Sequence, residues 1–239
     1  MKAVSIKNSL PRFLIADDHA MFAETLRSYL ERTYPVIGMV TDGRALIEAA
    51  IRLRPDVVIV DVAMPLLNGL DAARRMRELF PKLKFVFLTM QVDPNLAATA
   101  LELGPIGFVL KHSTGMELLT AINHVLHGKP YLTPQLRADD WFAERTRARQ
   151  FSKDLTQRQR EIVQLFAEGR AIKEIAGLLN LSEKTVEFHK YHVMVDFNIK
   201  TNAQLVLFAL KHGLISMDPE PSELASMRSS VPMGPALLH

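Results

Sequence analysis

Four polar clusters stand where short apolar runs of this chain stop. Asp17-Asp18 follow Phe13-Leu14-Ile15-Ala16, Asp61 follows Val57-Val58-Ile59-Val60, Thr89 follows Phe85-Val86-Phe87-Leu88, and Lys111 follows Ile106 to Leu110. If the fold brings these ends together, their chemistry is defined. Three carboxylates at close quarters repel one another, and a hard divalent cation with oxygen ligands, here expected to be Mg2+, would keep them ionised. Asp61 would then be a carboxylate nucleophile. Phosphoryl transfer to it spreads negative charge over three oxygens, which the metal, the Thr89 hydroxyl and the Lys111 ammonium can stabilise. Taken singly, an acidic pair after a strand is a turn or helix cap, and a lysine there is surface. The argument rests on all four falling at strand ends within one repeating pattern.

That pattern is an alternation of strand and helix. Strands are expected at 13–16, 36–40, 57–61, 85–88 and 106–110, with helices after each, at about 43–53, 69–80, 94–103 and 114–126 beyond the first. The Asp61 run, with its consecutive β-branched residues, suits a parallel strand covered on both faces; Met64-Pro65 and Asn68-Gly69 end it. Repeated strand-helix units imply an α/β fold, a five-stranded parallel doubly wound sheet with right-handed crossovers. In such sheets ligands bind beyond the carboxyl ends of the strands, where these polar residues lie.

Composition bounds the rest. At 239 residues, 48% hydrophobic and 23% charged, the chain has room for two globular domains. No apolar run reaches membrane-spanning length and the first residues carry no signal-peptide pattern, so a cytoplasmic protein without membrane contact is expected. The absence of cysteine removes disulfides, thiolate catalysis and Cys-ligated zinc. A net charge of +3 permits a nucleic-acid partner without arguing for one.

Domains are expected at 12–127 and 154–215, with a linker at 128–153 holding Trp141-Phe142 and an arginine-rich run, and a disordered tail at 216–239 rich in proline and serine. The second domain reads as all-α. A helix from Thr156 carries Ile162, Val163, Leu165 and Phe166; a short one buries Ile175, Leu178 and Leu179; a third begins after Ser182. In the third, Val186, Val193 and Phe197 share the inward face, while Lys184, Glu187, Phe188, Tyr191 and His192 point away. Two helices joined by a tight turn, the second with a polar and aromatic outer face, fit a helix-turn-helix that reads the major groove of double-stranded DNA.

Residues 12–127 resemble the receiver domain of two-component response regulators, through Asp17-Asp18, Asp61 with Met64-Pro65 and Gly69, Thr89, and Lys111. Leu155-Thr156, Arg160-Glu161, Gly169, Lys173-Glu174-Ile175-Ala176, Leu181-Ser182, Thr185-Val186, His189 and His212-Gly213-Leu214 resemble the LuxR-type four-helix DNA-binding domain. Together they are similar to response regulators of the NarL/FixJ class. The resemblance implies that Asp61 accepts a phosphoryl group from a sensor histidine kinase, that Asp17, Asp18, Asp61 and the carbonyl of Ala63 hold Mg2+, and that Thr89 and Phe108 are a switch pair, Phe108 packing inward on activation. It further implies DNA contacts from Lys184, Thr185, Glu187, Phe188, Lys190 and Tyr191, an operator as ligand, and a homodimer in the phosphorylated state, with Leu205, Val206 and Ala209 of the fourth helix as dimer contacts.

Some positions depart from the pattern. Asp196 and Asn202 stand where the family has lysine and arginine, so fewer phosphate contacts are expected, and an interaction protein whose DNA-binding face has decayed is the second reading. His189 is expected to be hydrogen-bonded inside its domain. A third reading, an aspartate-nucleophile phosphohydrolase, requires a second Asp two residues after Asp61, where Ala63 sits.

Overall fold

The computed structural model describes residues 10–90, 92–137 and 155–215. Most of the expected linker, with Trp141-Phe142, and the expected tail lie outside the described residues. The strands β1 (Phe13–Ala16), β2 (Val36–Val40), β3 (Val57–Asp61), β4 (Lys84–Thr89), β5 (Gly107–Leu110) and β6 (Tyr131–Leu132) form one sheet in the order β2-β1-β3-β4-β5-β6, all neighbours parallel. The expected count of five strands is corrected to six. The sixth is two residues long between Gly128-Lys129-Pro130 and Pro134, too short for a period to show, and pairs with β5 through Gly107 and Phe108.

Side-chain alternation along the strands builds two layers. Leu14, Val58, Val60, Phe85, Phe87 and Phe108 face one side, where α2 (Gly43–Leu53), α3 (Gly69–Leu79) and α4 (Pro94–Leu101) cover them. Phe13, Ile15, Ile59, Val86, Leu88 and Val109 face the other, against α1 (Ala20–Leu30) and α5 (Gly115–Leu126). The chain leaves β1 for β2 on one side and crosses back to β3 on the other, so the carboxyl ends of β1 and β3 meet at the switch point of the sheet.

A four-residue helix, α6 (Pro134–Arg137), closes this half. The second half consists of α7 (Gln157–Ala167), α8 (Ile172–Leu179), α9 (Glu183–Asp196) and α10 (Asn202–Lys211). Thr156 and Gln159 close a reciprocal capping box at α7, Ser182 caps α9 and Thr201 caps α10, each side chain satisfying a backbone N–H that the first turn leaves unpaired. Asn180 takes a left-handed φ of 53°, which a short amide side chain tolerates, and turns α8 into α9. None of the described helices is long and apolar enough to cross a membrane.

Two glycines fix the segment 62–68 that follows β3. A side chain at Gly69 would place its Cβ 2.0 Å from the carbonyl oxygen of Asp61, and one at Gly43 would fall 2.0 Å from that of Leu67. Backbone cannot yield as a flexible side chain can. Gly69→Ala is therefore expected to destabilise the protein by about 3 kcal/mol, the upper end of overpacking costs, read as a fall in the urea midpoint; a stability equal to wild type would refute the close approach.

Candidate functional site

The expected convergence is present. Asp61 ends β3 and Thr89 ends β4, while Asp17 directly follows β1 and Lys111 directly follows β5. Lys111 Nζ lies 2.6 Å from Asp61 Oδ2, 3.1 Å from Asp17 Oδ1 and 3.0 Å from Asp17 Oδ2, with the Phe22 ring 5.1 Å below the ammonium. The N–H of Ala63 donates to Asp61 Oδ1 at 3.1 Å and that of His19 to Asp17 Oδ1 at 2.9 Å. Asp17, Asp61 and Thr89 are buried, and Asp18 is exposed at the rim of the cluster.

His19 is the member that sequence reasoning missed. Its Nδ1 lies 2.9 Å from Asp18 Oδ1 and 3.4 Å from Lys111 Nζ, and its ligating atom falls within 4.8 Å of those of Asp17, Asp18 and Asp61. Adjacency to the acidic pair was the available signal. The donors fit a hard cation. Asp17 Oδ2 is buried beside Lys111 yet accepts no hydrogen bond, which leaves an anionic lone pair directed into the cluster.

Burial shapes the protonation of the site. It pushes the Asp61 carboxyl up to about 7; Lys111 pulls the other way and Asp17 adds to the rise. Burial likewise raises Asp18, opposed by His19 and assisted by Asp17. For Lys111, burial alone would favour the neutral amine, but Asp61 and Asp17 outweigh it and hold the ammonium above its ordinary value. Phe108 is fully buried beside Phe87, ring centroids 6.2 Å apart. In this structure the Phe108 ring occupies the core.

The second candidate site is the outer face of α9. Lys184, Glu187, Phe188, Tyr191 and His192 are exposed there, while Val186 and Val193 are fully buried. Phe188 stacks against His192 with centroids 4.2 Å apart, and Tyr191 meets His192 edge-on at 6.0 Å. Lys190 points elsewhere: its ammonium sits 3.8 Å from the centre of the Phe166 ring on α7, and burial lowers its pKa. Thr185 shares its hydroxyl with Ser182 at 2.8 Å and belongs to the cap. His189, expected to be hydrogen-bonded inside its domain, packs its ring edge-on to Phe188 at 5.7 Å. The expected dimer contacts Leu205 and Ala209 are corrected, both being fully buried against Leu155, Val163 and Val193 in their own domain. Val206 is half-buried, and the exposed apolar residue of α10 is Leu207.

The two halves meet through α7 and α8, and α9 keeps its outer face in solvent. Asp71 on α3, 1% exposed, accepts from Arg74 at 2.7 Å and from Arg160 of α7 at 2.9 Å. Glu161 of α7, 3% exposed, is bonded by Arg75 of α3 and by Arg158 at 3.2 Å. Arg44 NH1 reaches the carbonyl of Leu178 at 2.7 Å. These pairings join residues about 90 to 130 positions apart, so no local sequence pattern signals them.

Residues 13–123 match the family described as response regulator receiver domain, and residues 153–209 match bacterial regulatory proteins of the luxR family. The oxygen regulatory protein NreC of Staphylococcus epidermidis is 34% identical over 215 residues, covering 85% of this chain and 99% of that one. RcsB from Salmonella enterica serovar Typhimurium, solved bound to the promoter P1flhDC in the presence of the phosphomimetic BeF3−, is 28% identical with a TM-score of 0.58, covering 86% of this chain and 98% of that one. A structure of two RcsB dimers bound to two parallel DNAs is 29% identical with a TM-score of 0.50 over 84% of this chain and 98% of that one.

The raised Asp61 carboxyl predicts a pH dependence with a definite sign. Below about 7 the proton occupies the oxygen that a cation needs. Divalent-cation affinity is thus expected to rise with pH, by up to about tenfold per unit below that value, and to level off above it. Titration calorimetry with Mg2+ between pH 5.5 and 8.5 reads this directly, and an affinity that falls as pH rises would contradict it.

Proposed function

This chain belongs to the response regulators that join a receiver domain to a LuxR-type DNA-binding domain, and from that premise we propose that a phosphoryl group on Asp61 controls its grip on DNA. The chain regulates transcription; it is not a metabolic enzyme. The observation that carries the proposal is the meeting of Asp17, Asp18, Asp61 and Lys111 at the switch point of the sheet. A sensor histidine kinase is the expected donor. One Asp61 oxygen attacks phosphorus and forms a P–O bond as the P–N bond to the kinase's phosphohistidine breaks, and the ring nitrogen keeps the electron pair. Asp17, Asp18, Asp61 and the Ala63 carbonyl would hold Mg2+, which supplies positive charge to the transferring oxygens. Lys111 brings a second cation already beside the acceptor oxygen, and Thr89 a hydroxyl donor.

On DNA, Glu187, Phe188 and Tyr191 are assigned to base edges in the major groove and Lys184 to phosphates, with Thr185 at the start of the helix holding its cap. Lys190, held over Phe166, is left out of the phosphate contacts. Residues 154–216 carry eight Lys/Arg against seven Asp/Glu, so one domain has little electrostatic hold on a duplex. Because the reading face of α9 is exposed while the halves are docked, control is assigned to pairing. Two domains on half-sites about one helical turn apart gain from effective concentration, and the Val206-Leu207 surface of α10 is the proposed contact. The RcsB dimers on DNA support that reading.

Three outcomes test it. Labelling by a small phosphodonor with Mg2+ is expected in the wild type and lost in Asp61→Asn; undiminished labelling of that variant would overturn the assignment. Tyr191→Ala is expected to change sequence preference, whereas Lys184→Ala weakens binding to all sequences alike and lowers the salt slope by about 1. Sedimentation before and after phosphorylation should show a shift toward dimer with tighter operator binding, and a protein that stays monomeric would exclude pairing.

A further inference from the structure

The segment 62–68, between the acceptor Asp61 and α3, is short of partners of its own. Inside it, Gly69 N–H donates to the Val62 carbonyl at 2.9 Å and Leu67 N–H to that of Pro65 at 2.7 Å. Leu66 takes φ 64°, a left-handed conformation that a leucine rarely adopts and that costs of order 1 kcal/mol unless its surroundings enforce it. What enforces it comes from α7, about one hundred residues away in the chain.

Leu66 N–H donates to Glu168, at 3.1 Å to Oε1 and 3.3 Å to Oε2. Gln164, 1% exposed, donates its Nε2 to the Met64 carbonyl at 2.9 Å and to Glu168 Oε1 at 2.8 Å, while its Oε1 accepts from the N–H of Asn68 at 3.0 Å and from Asn68 Nδ2 at 3.2 Å. The Leu66 side chain packs against the cluster of Ile162, Leu165, Ile175, Leu179 and Val186 in the helical half. The Met64 carbonyl, the Leu66 N–H and the Asn68 N–H are thus met by two side chains, Gln164 of α7 and Glu168 at its C-terminal cap. A buried amide left without such a partner is costly, so the segment's order depends on α7 being seated.

We propose that Gln164 and Glu168 are positioning residues for the acceptor site, clamping the 62–68 segment so that the Ala63 carbonyl and the Asp61 carboxylate are held ready for a divalent cation and a phosphoryl group. The proposal rests on the reading of Asp61 as acceptor. Neither residue touches Asp61; both act through backbone. The DNA-binding half, on this account, completes the receiver's own site.

The test uses the full chain and the variants Gln164→Ala, Glu168→Ala and Glu168→Gln, with Mg2+ alone and with acetyl phosphate as probes. Loss of the bonds that hold the segment is expected to weaken Mg2+ binding, measured by calorimetry, roughly threefold to tenfold in each of the two alanine variants. Amide exchange at Leu66 and Asn68 should speed up together with that loss. Glu168→Gln keeps an oxygen for the Leu66 N–H and should restore both readouts, which a general loss of packing would not allow. Alanine variants that bind Mg2+ as wild type does, or more tightly, would overturn the clamp, even with wild-type labelling by acetyl phosphate intact. A wild type that takes no label, while its variants still lose Mg2+ affinity as stated, would overturn the acceptor reading and leave the clamp standing.

Discussion

A carboxylate withdrawn from water sets the terms for the rest of this structure. Asp61 is 3% exposed, and ionised it needs an opposing charge, because desolvation alone would protonate it near neutrality. Lys111 supplies that charge at 2.6 Å, but the same ammonium also serves Asp17, so the cluster holds more anionic oxygens than this one ammonium satisfies. The orphaned Asp17 Oδ2 is the visible remainder. What brings the strand ends together is one topological fact, the reversal of strand order at β1, with β2 added on one side of it and β3 on the other, all strands parallel.

The same arithmetic of buried charge governs the contact between the halves. Asp71 and Glu161 are nearly inaccessible, and each is flanked by two guanidinium groups, one from α3 and one from α7. The pairing is reciprocal, since each helix contributes an acid and a base to the other. Such pairs recover little net free energy once desolvation is counted, yet removing one partner strands the other, so they set register more than strength. Apolar contacts join them as well: Leu66 inserts from the acceptor segment into the helical half, and Leu96 of α4 packs against Gly213.

Much of this was legible in the sequence. Consecutive β-branched residues before Asp61, apolar runs stopping on Asp17 and Lys111, and the Ser182 cap with Val186 and Val193 inward gave the strands, the site and the reading helix, because each depends on local pattern. What failed depended on contacts distant in the chain. The short β6 exists only by pairing with β5. Leu205 and Ala209 were expected at a dimer surface, yet an apolar face on a short helix cannot itself reveal whether α7 or a second molecule covers it. Gln164 and Glu161 are polar residues beside the apolar Ile162, Val163 and Leu165, and only the tertiary arrangement places them opposite Met64, Asn68 and Arg75. Burial of polar residues at a domain contact leaves no period to read.

The reading face of α9 ties these strands of argument together. It carries aromatic and histidine rings with one lysine at the N-terminal end, Asp196 stands exposed near its C-terminal end, and Lys190 is spent on Phe166. A surface so poor in positive charge cannot draw much affinity from phosphates, so discrimination must come from base edges and affinity from a second copy. Docking that left this face covered would be redundant with its weakness. Docking through α7 leaves the face open and places the contact where it bears on the acceptor segment, which is consistent with a control that acts on association of two chains rather than on exposure of one helix.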